Sequence, residues 1–111
     1  MDTMPKLEAR VRLYDDPRGG PTQLLAFAEL TSADAFVING IRVLAKREGH
    51  AGDRAPFVVW PAERGIGRDM DRWYDLAHPI HHAAREAALR SILAAYEKAM
   101  KQQGRNVENR T

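Results

Sequence analysis

The residues of this sequence best suited to chemistry are three clustered histidines, a scatter of arginines, and two tryptophans. His78, His81 and His82 crowd one junction, and imidazole is a common zinc ligand. Their spacing does not suit a metal site. His78 and His82 are four apart, but a histidine at a helix cap points differently from one inside the helix. No His-Glu-x-x-His pattern accompanies them. We read them as cap and surface residues and expect no metal. The chain has no cysteine, which removes a thiol nucleophile, thiolate zinc sites and a disulfide framework. Ser32 falls in a turn and Ser91 in a helix, each without a nucleophile motif around it. Gly65-Ile66-Gly67 lacks the rest of a phosphate-cradling loop. Asp69, Asp71 and Asp75 stand near Arg68 and Arg72, which reads as charge neutralisation. We therefore expect no catalytic residues, no cofactor and no enzyme.

Nucleic-acid binding has better material. Lys46, Arg47, Arg54, Arg64, Arg68 and Arg72 all fall in loop-like sequence, and Trp60, Trp73 and Tyr74 flank the second of these loops. Arginine anchors phosphates and reads guanine edges, while aromatic rings stack on unpaired bases. Against this, Asp53, Glu63, Asp69 and Asp71 dilute the charge, and tryptophans such as Trp60 and Trp73 are more often core residues than stacking platforms. Arg85 is the odd residue of the helical stretch, because by angle it falls on the apolar face near Leu89 and Ile92. Two readings stand side by side: an arginine snorkelling between helix and strands, or a phosphate contact at the junction.

The elements that must position these residues follow from periodicity. From Leu7 to Tyr14, Leu7, Ala9, Val11 and Leu13 alternate with Glu8, Arg10, Arg12 and Tyr14, the pattern of a half-buried strand. Asp15 to Pro21 is dense in turn formers. Gln23–Leu30 is a second strand, which pairs most simply with the first as a hairpin. After the Thr31–Asp34 turn, Ala35–Ala45 carries Asn39-Gly40 at its middle. We expect a bend or bulge there within one strand; a tight hairpin is the alternative. Lys46–Pro56 is loop-like, and Phe57–Trp60 is a short strand between prolines. Pro61–Arg72 reads as a long loop, and Trp73–Leu76 as a last short strand.

Pro79 suits the first helical turn, which puts His78 near the N-cap. At 100° per residue, Ala84, Ala88, Leu89, Ile92, Leu93, Ala95, Tyr96, Ala99 and Met100 share one broad face. Glu86, Arg90, Glu97 and Lys101 share the other, and Gly104 is the expected stop. Four or five short strands followed by one long helix make an α+β domain, an antiparallel sheet with the helix packed on it.

The remaining bounds are broad. One domain fits 111 residues. A chain of this size buries about two thirds of its unfolded surface, so association with a second copy would help the core. A net charge of +2 permits polyanion binding without demanding it. No run approaches the roughly 20 apolar residues of a membrane span, and the N-terminus lacks the apolar core of a secretory signal. A cytoplasmic protein without membrane contact is the expectation.

Four segments in order resemble the SpoVG family, the stage V sporulation protein G or septation proteins. Val11-Arg12-Leu13 is similar to the opening strand, and Phe36-Val37-Ile38-Asn39-Gly40-Ile41-Arg42-Val43 to the Phe-Val-x-x-x-Ile-Arg-Val segment. Phe57-Val58-Val59-Trp60-Pro61-Ala62-Glu63-Arg64 resembles the strand, proline and basic residues that follow. Asp75-Leu76-Ala77-His78-Pro79-Ile80, with Arg85 and Tyr96 at matching distances, is the most specific segment.

The resemblance implies a SpoVG-like domain, taken as 7–103; the residues on either side read as a flexible N-terminus (1–6) and a disordered tail (104–111). It implies a homodimer formed through the sheet with strand exchange, and binding to DNA and, in some members, RNA in gene regulation. The nucleic-acid contacts it implies are Arg64 and Arg85 by direct match, with Arg68 and Arg72 in the same loop; Lys46 and Arg47 join them as loop cations. The chain departs from the family pattern at Glu63, Trp60, Tyr74 and Ala87, and its Gly65–Arg72 loop is longer. Basic charge is thus lost at family positions and partly restored at Arg68 and Arg72. The competing expectation is a protein-interaction module in septation control that does not touch nucleic acid.

Overall fold

Alternation and turn chemistry account for most of the architecture. The computed structural model describes residues 4–50 and 52–109, with side chains as far as Gln103. Strands β1 (Leu7–Leu13), β2 (Thr22–Ser32), β3 (Phe36–Lys46) and β4 (Phe57–Val59) form one antiparallel sheet in sequential order. Strands β5 (Ala62–Arg64) and β6 (Trp73–Asp75) pair separately, and α1 (His82–Asn109) follows. This is the expected α+β fold.

The two hairpins are closed by different means. Between β1 and β2, Asp16 organises the loop. Its Oδ1 accepts from Arg18 N (3.0 Å) and Arg18 Nε (3.1 Å), and its Oδ2 accepts from Leu24 N (3.0 Å). These donors hold the Asp16 carboxyl well below the usual carboxylate range, the Leu24 amide contributing most. Between β2 and β3, Ala33 and Asp34 both take positive φ, 56° and 53°, and Ala35 N donates to Ser32 O at 3.0 Å. That backbone matches the right-handed strand twist, but neither residue is glycine.

The sheet carries two register shifts. Ala28 pairs with Ile41 and Leu30 with Ile38, so β3 has one extra residue, at Asn39-Gly40. Gly40 has a φ of 79° there, and the stretch is a bulge within one strand, as expected. A second shift puts an extra residue, Leu25, in β2.

One face of the sheet is the core. Ala26, Ala28 and Leu30 of β2 and Ile41 and Val43 of β3 are buried against Ala88, Ile92 and Tyr96 of α1. Leu7, Ala9, Val11 and Leu13 of β1 and Val58 and Trp60 around β4 close its margins. Burial pushes the Tyr96 hydroxyl pKa upward. The expected helix stripe is therefore right at its centre, while Met100, at its end, is 46% exposed. Glu86, Arg90, Glu97 and Lys101 face solvent.

The helix ends differ from expectation. Pro79 precedes the first turn, and His81 is the cap: its Nδ1 accepts from Ala84 N at 3.2 Å. A ring nitrogen one position before the helix can reach the third helical amide, as a serine or aspartate oxygen does; His78 lies too early. The helix also runs through Gly104 to Asn109, so no stop falls at Gly104. Of the two expected termini, 1–3 and 110–111 lie outside the described residues.

Candidate nucleic-acid interface

The stretch expected as a long loop is a hairpin arm. Ala62 pairs with Asp75, Glu63 with Tyr74 and Arg64 with Trp73, and Leu76 N donates to Pro61 O at 2.7 Å. The tip is a short 3₁₀ turn, Gly67–Asp69. It is tied back by Arg72 N to Asp69 O and by Gly65 N to Arg72 O, both 2.9 Å. A side chain at Gly65 would have its Cβ 2.3 Å from Asp69 O and 2.9 Å from Tyr74 Cε2, so the tip packs only because glycine is there. Sequence reading missed this pairing because β5 is three residues long and mixed in polarity; register reveals it, composition does not.

The arm's two strands contact mainly each other and leave a large apolar surface open. Ile66 is 90% exposed, Trp73 63%, Leu76 61% and, just beyond, Ile80 87%. Met70 and Tyr74 are exposed as well. Trp60 and Trp73 thus divide the two readings given to them: the first joins the core margin, the second stands in solvent.

The expected site residues lie on different elements. Arg64 lies on the arm with its guanidinium carbon 5.7 Å from the Trp73 ring centroid, a cation–π pair. Arg68 and Arg72 sit at the exposed tip. Arg85 occupies the first turn of α1 and is exposed. None of these four has an ion-pair partner among the described residues. Lys46 ends β3 and is exposed.

Arg47 has another job. It is half-buried, its Nη2 donates to Arg18 O and lies 3.9 Å from Asp16 Oδ2, and its backbone N donates to Pro21 O at 3.0 Å. It braces the β1–β2 loop rather than extending into solvent.

The three clustered histidines are each occupied. His78 Nδ1 hydrogen-bonds Pro79 O at 2.9 Å, His81 caps the helix, and His82 Nε2 pairs with Glu86 at 3.1 Å. No group of three or more metal-ligating side chains occurs among the described residues.

A second basic surface went unnoticed in the sequence. Residues alternating with the core positions point away from α1, and they include Arg10 and Arg12 on β1, Phe27 and Glu29 on β2, and Arg42 on β3. Arg12, Phe27 and Arg42 are direct neighbours across three strands. The signal was present as the charged half of the β1 alternation, but pairing register alone brings it beside Arg42.

Comparison with known proteins places this fold. The family model described as SpoVG matches residues 4–98. The chain belongs to the SpoVG family. Its similarity extends to proteins named "Putative septation protein SpoVG" in several bacteria. The Borrelia hermsii relative is 30% identical over 91 residues, covering 82% of this chain and 84% of that protein. An Anaeromyxobacter relative (strain K) is 32% identical over 82 residues, 74% and 72% of the two chains. The Finegoldia magna relative is 33% identical over 81 residues, 73% and 67%. Among the described residues, no helix is long and apolar enough to cross a membrane.

Proposed function

We propose that this SpoVG-family chain is a cytoplasmic regulator that binds DNA or RNA as a homodimer. The observation that carries the reading is the β5–β6 arm, which presents exposed apolar side chains and arginines without ion-pair partners among the described residues on one hairpin. A surface holding Ile66, Trp73, Leu76 and Ile80 in water calls for a partner. A second copy of the arm supplies one, with exchange or pairing of short strands as the route. The tip residues Arg68 and Arg72, with Arg85 at the helix start, then anchor phosphates from both protomers.

The test is a titration of labelled duplex DNA, single-stranded DNA and RNA across salt concentration, for the parent and for an Arg64→Ala/Arg68→Ala/Arg72→Ala variant. Removing one phosphate-binding arginine should lower the slope of log affinity against log salt by about 0.9 on duplex. Absence of binding at low salt, or binding indifferent to salt, would sink the reading. That result would favour a protein-interaction module in septation control, which the arm's acid content supports. Glu63, Asp69, Asp71 and Asp75 outnumber Arg64, Arg68 and Arg72 on the arm.

A further inference from the structure

The outward face of the main sheet offers a site different from the arm. Arg12 pairs across β1–β2 with Phe27, and Phe27 across β2–β3 with Arg42. One ring is thus flanked on both sides by arginines. The Arg12 guanidinium carbon lies 5.4 Å from the Phe27 centroid. Tyr14 meets Phe27 edge-on, with centroids 5.4 Å apart and planes at 78°. The next row holds Arg10 and Glu29, 3.9 Å apart, beside the Asn39-Gly40 bulge. Arg10, Arg12, Phe27, Glu29, Asn39 and Gly40 line a shallow open depression of about 480 Å³, with Arg42 beyond its rim.

Charge on this face is one-sided. Arg10, Arg12, Arg42 and Lys46 stand against Glu8 and Glu29. Arg12 and Arg42 have no ion-pair partner among the described residues. A guanidinium laid over an aromatic ring is held flat, and its outer plane is free to stack on a base. Arg42, on the far side of the ring, is placed for a phosphate. Base faces are available only where bases are unpaired, since duplex stacking hides them. A second copy of the chain fits poorly here, because it would set Arg12 and Arg42 against like charges.

We propose that this face binds single-stranded nucleic acid, with one base stacked on the Arg12–Phe27 pair and a phosphate on Arg42. The proposal rests on the nucleic-acid reading above and names its substrate class.

Anisotropy titrations with a labelled 12-nucleotide single strand, as RNA and as DNA, and with its duplex, across salt, test it. The proteins are the parent, Arg12→Lys, Arg12→Ala/Arg42→Ala and the arm triple variant, each checked by thermal melting. Arg12→Lys keeps the charge and the aliphatic stem but loses the plane; it should weaken single-strand binding about tenfold and leave duplex binding unchanged. The double variant loses the one phosphate contact, on Arg42, and should flatten the single-strand salt slope by about 0.7. Parental single-strand affinity in both sheet variants, with loss only in the arm variant, overturns the site and leaves the nucleic-acid reading standing. A parent that binds none of the ligands at low salt overturns both.

Discussion

Gly65→Ala separates the arm from the rest of the fold. The added Cβ would sit 2.3 Å from Asp69 O, where real Cβ atoms essentially never approach within 3.0 Å. Asp69 O accepts Arg72 N, and Arg72 O accepts Gly65 N, both at 2.9 Å. A withdrawal of about 0.7 Å, enough to clear the contact, stretches such a bond to about 3.6 Å, outside hydrogen-bond range. Two tip bonds at about 1 kcal/mol each are then at risk, roughly 2 kcal/mol in all. That is about a 30-fold shift in the local opening equilibrium. A two-stranded hairpin is marginal in water to begin with, so this shift is enough to open the arm. The β1–β4 sheet and α1 share no core side chain with the tip, so they should stay folded.

Hydrogen exchange read by mass spectrometry is the assay. Amides of residues 62–75 should exchange much faster in the variant, while those of β2, β3 and α1 keep parental protection. Sedimentation should show the dimer weakened in parallel, since the arm is its proposed contact. Gly67→Ala is the control: Gly67 has a φ of 64° but open space around its Cβ position. It should incur only the left-handed backbone penalty of about 1 kcal/mol. Parental exchange over 62–75 in Gly65→Ala would refute the reasoning, because it would mean that the tip hydrogen bonds do not hold the arm.

Two further outcomes bear on the main sheet. Asp16→Asn should lower the melting temperature at neutral pH, because the carboxylate accepts three hydrogen bonds across the β1–β2 loop. Its folded pKa is depressed, so its contribution is fully present above about pH 4 and is lost as pH falls through the folded value. The variant's melting temperature should therefore fall less steeply in acid than the parent's, read by thermal melts from pH 2 to 7. Ala33→Gly should stabilise the domain by about 0.5–1 kcal/mol, since glycine adopts the positive φ of that turn without a Cβ penalty. A urea midpoint that rises at constant slope would show it.

The main sheet was legible in the sequence because its strands obey period two and its turns are rich in Gly, Pro, Asn and Asp. Leu7–Leu13 and the bulge at Asn39-Gly40 are the clearest cases. The helix face was legible for the same reason, through Ala88, Ile92 and Tyr96. The helix start was not. A proline suggested a start at 79, but the capping acceptor, an imidazole nitrogen, is a type that propensity ranks low. The arm was hidden because a three-residue strand leaves no periodicity to read. The candidate site was legible in part: the exposed arginines at 64, 68, 72 and 85 could be named from their positions in loops and at the helix start. The hold of Arg47 on Asp16 and Arg18 was not readable, because it depends on a contact across the β1–β2 loop. Phe27, Arg12 and Arg42 were missed because they are distant in sequence and neighbours only through register.

The placement of charge divides labour between the two surfaces. On the arm, Arg64 is engaged with Trp73, and four acids flank the remaining two arginines. Its net field is therefore weakly negative, while Ile66, Met70, Trp73 and Tyr74 are exposed on it. That combination suits pairing of chains, with phosphate contact confined to Arg68 and Arg72 at the tip. On the outward sheet face the balance reverses, with four cations against two acids and a ring that holds one guanidinium flat. Long-range attraction of a polyanion follows net charge, and that favours the sheet. The salt slope should accordingly fall more for Arg12→Ala/Arg42→Ala than for Arg68→Ala/Arg72→Ala on single strands, although each pair removes two charges.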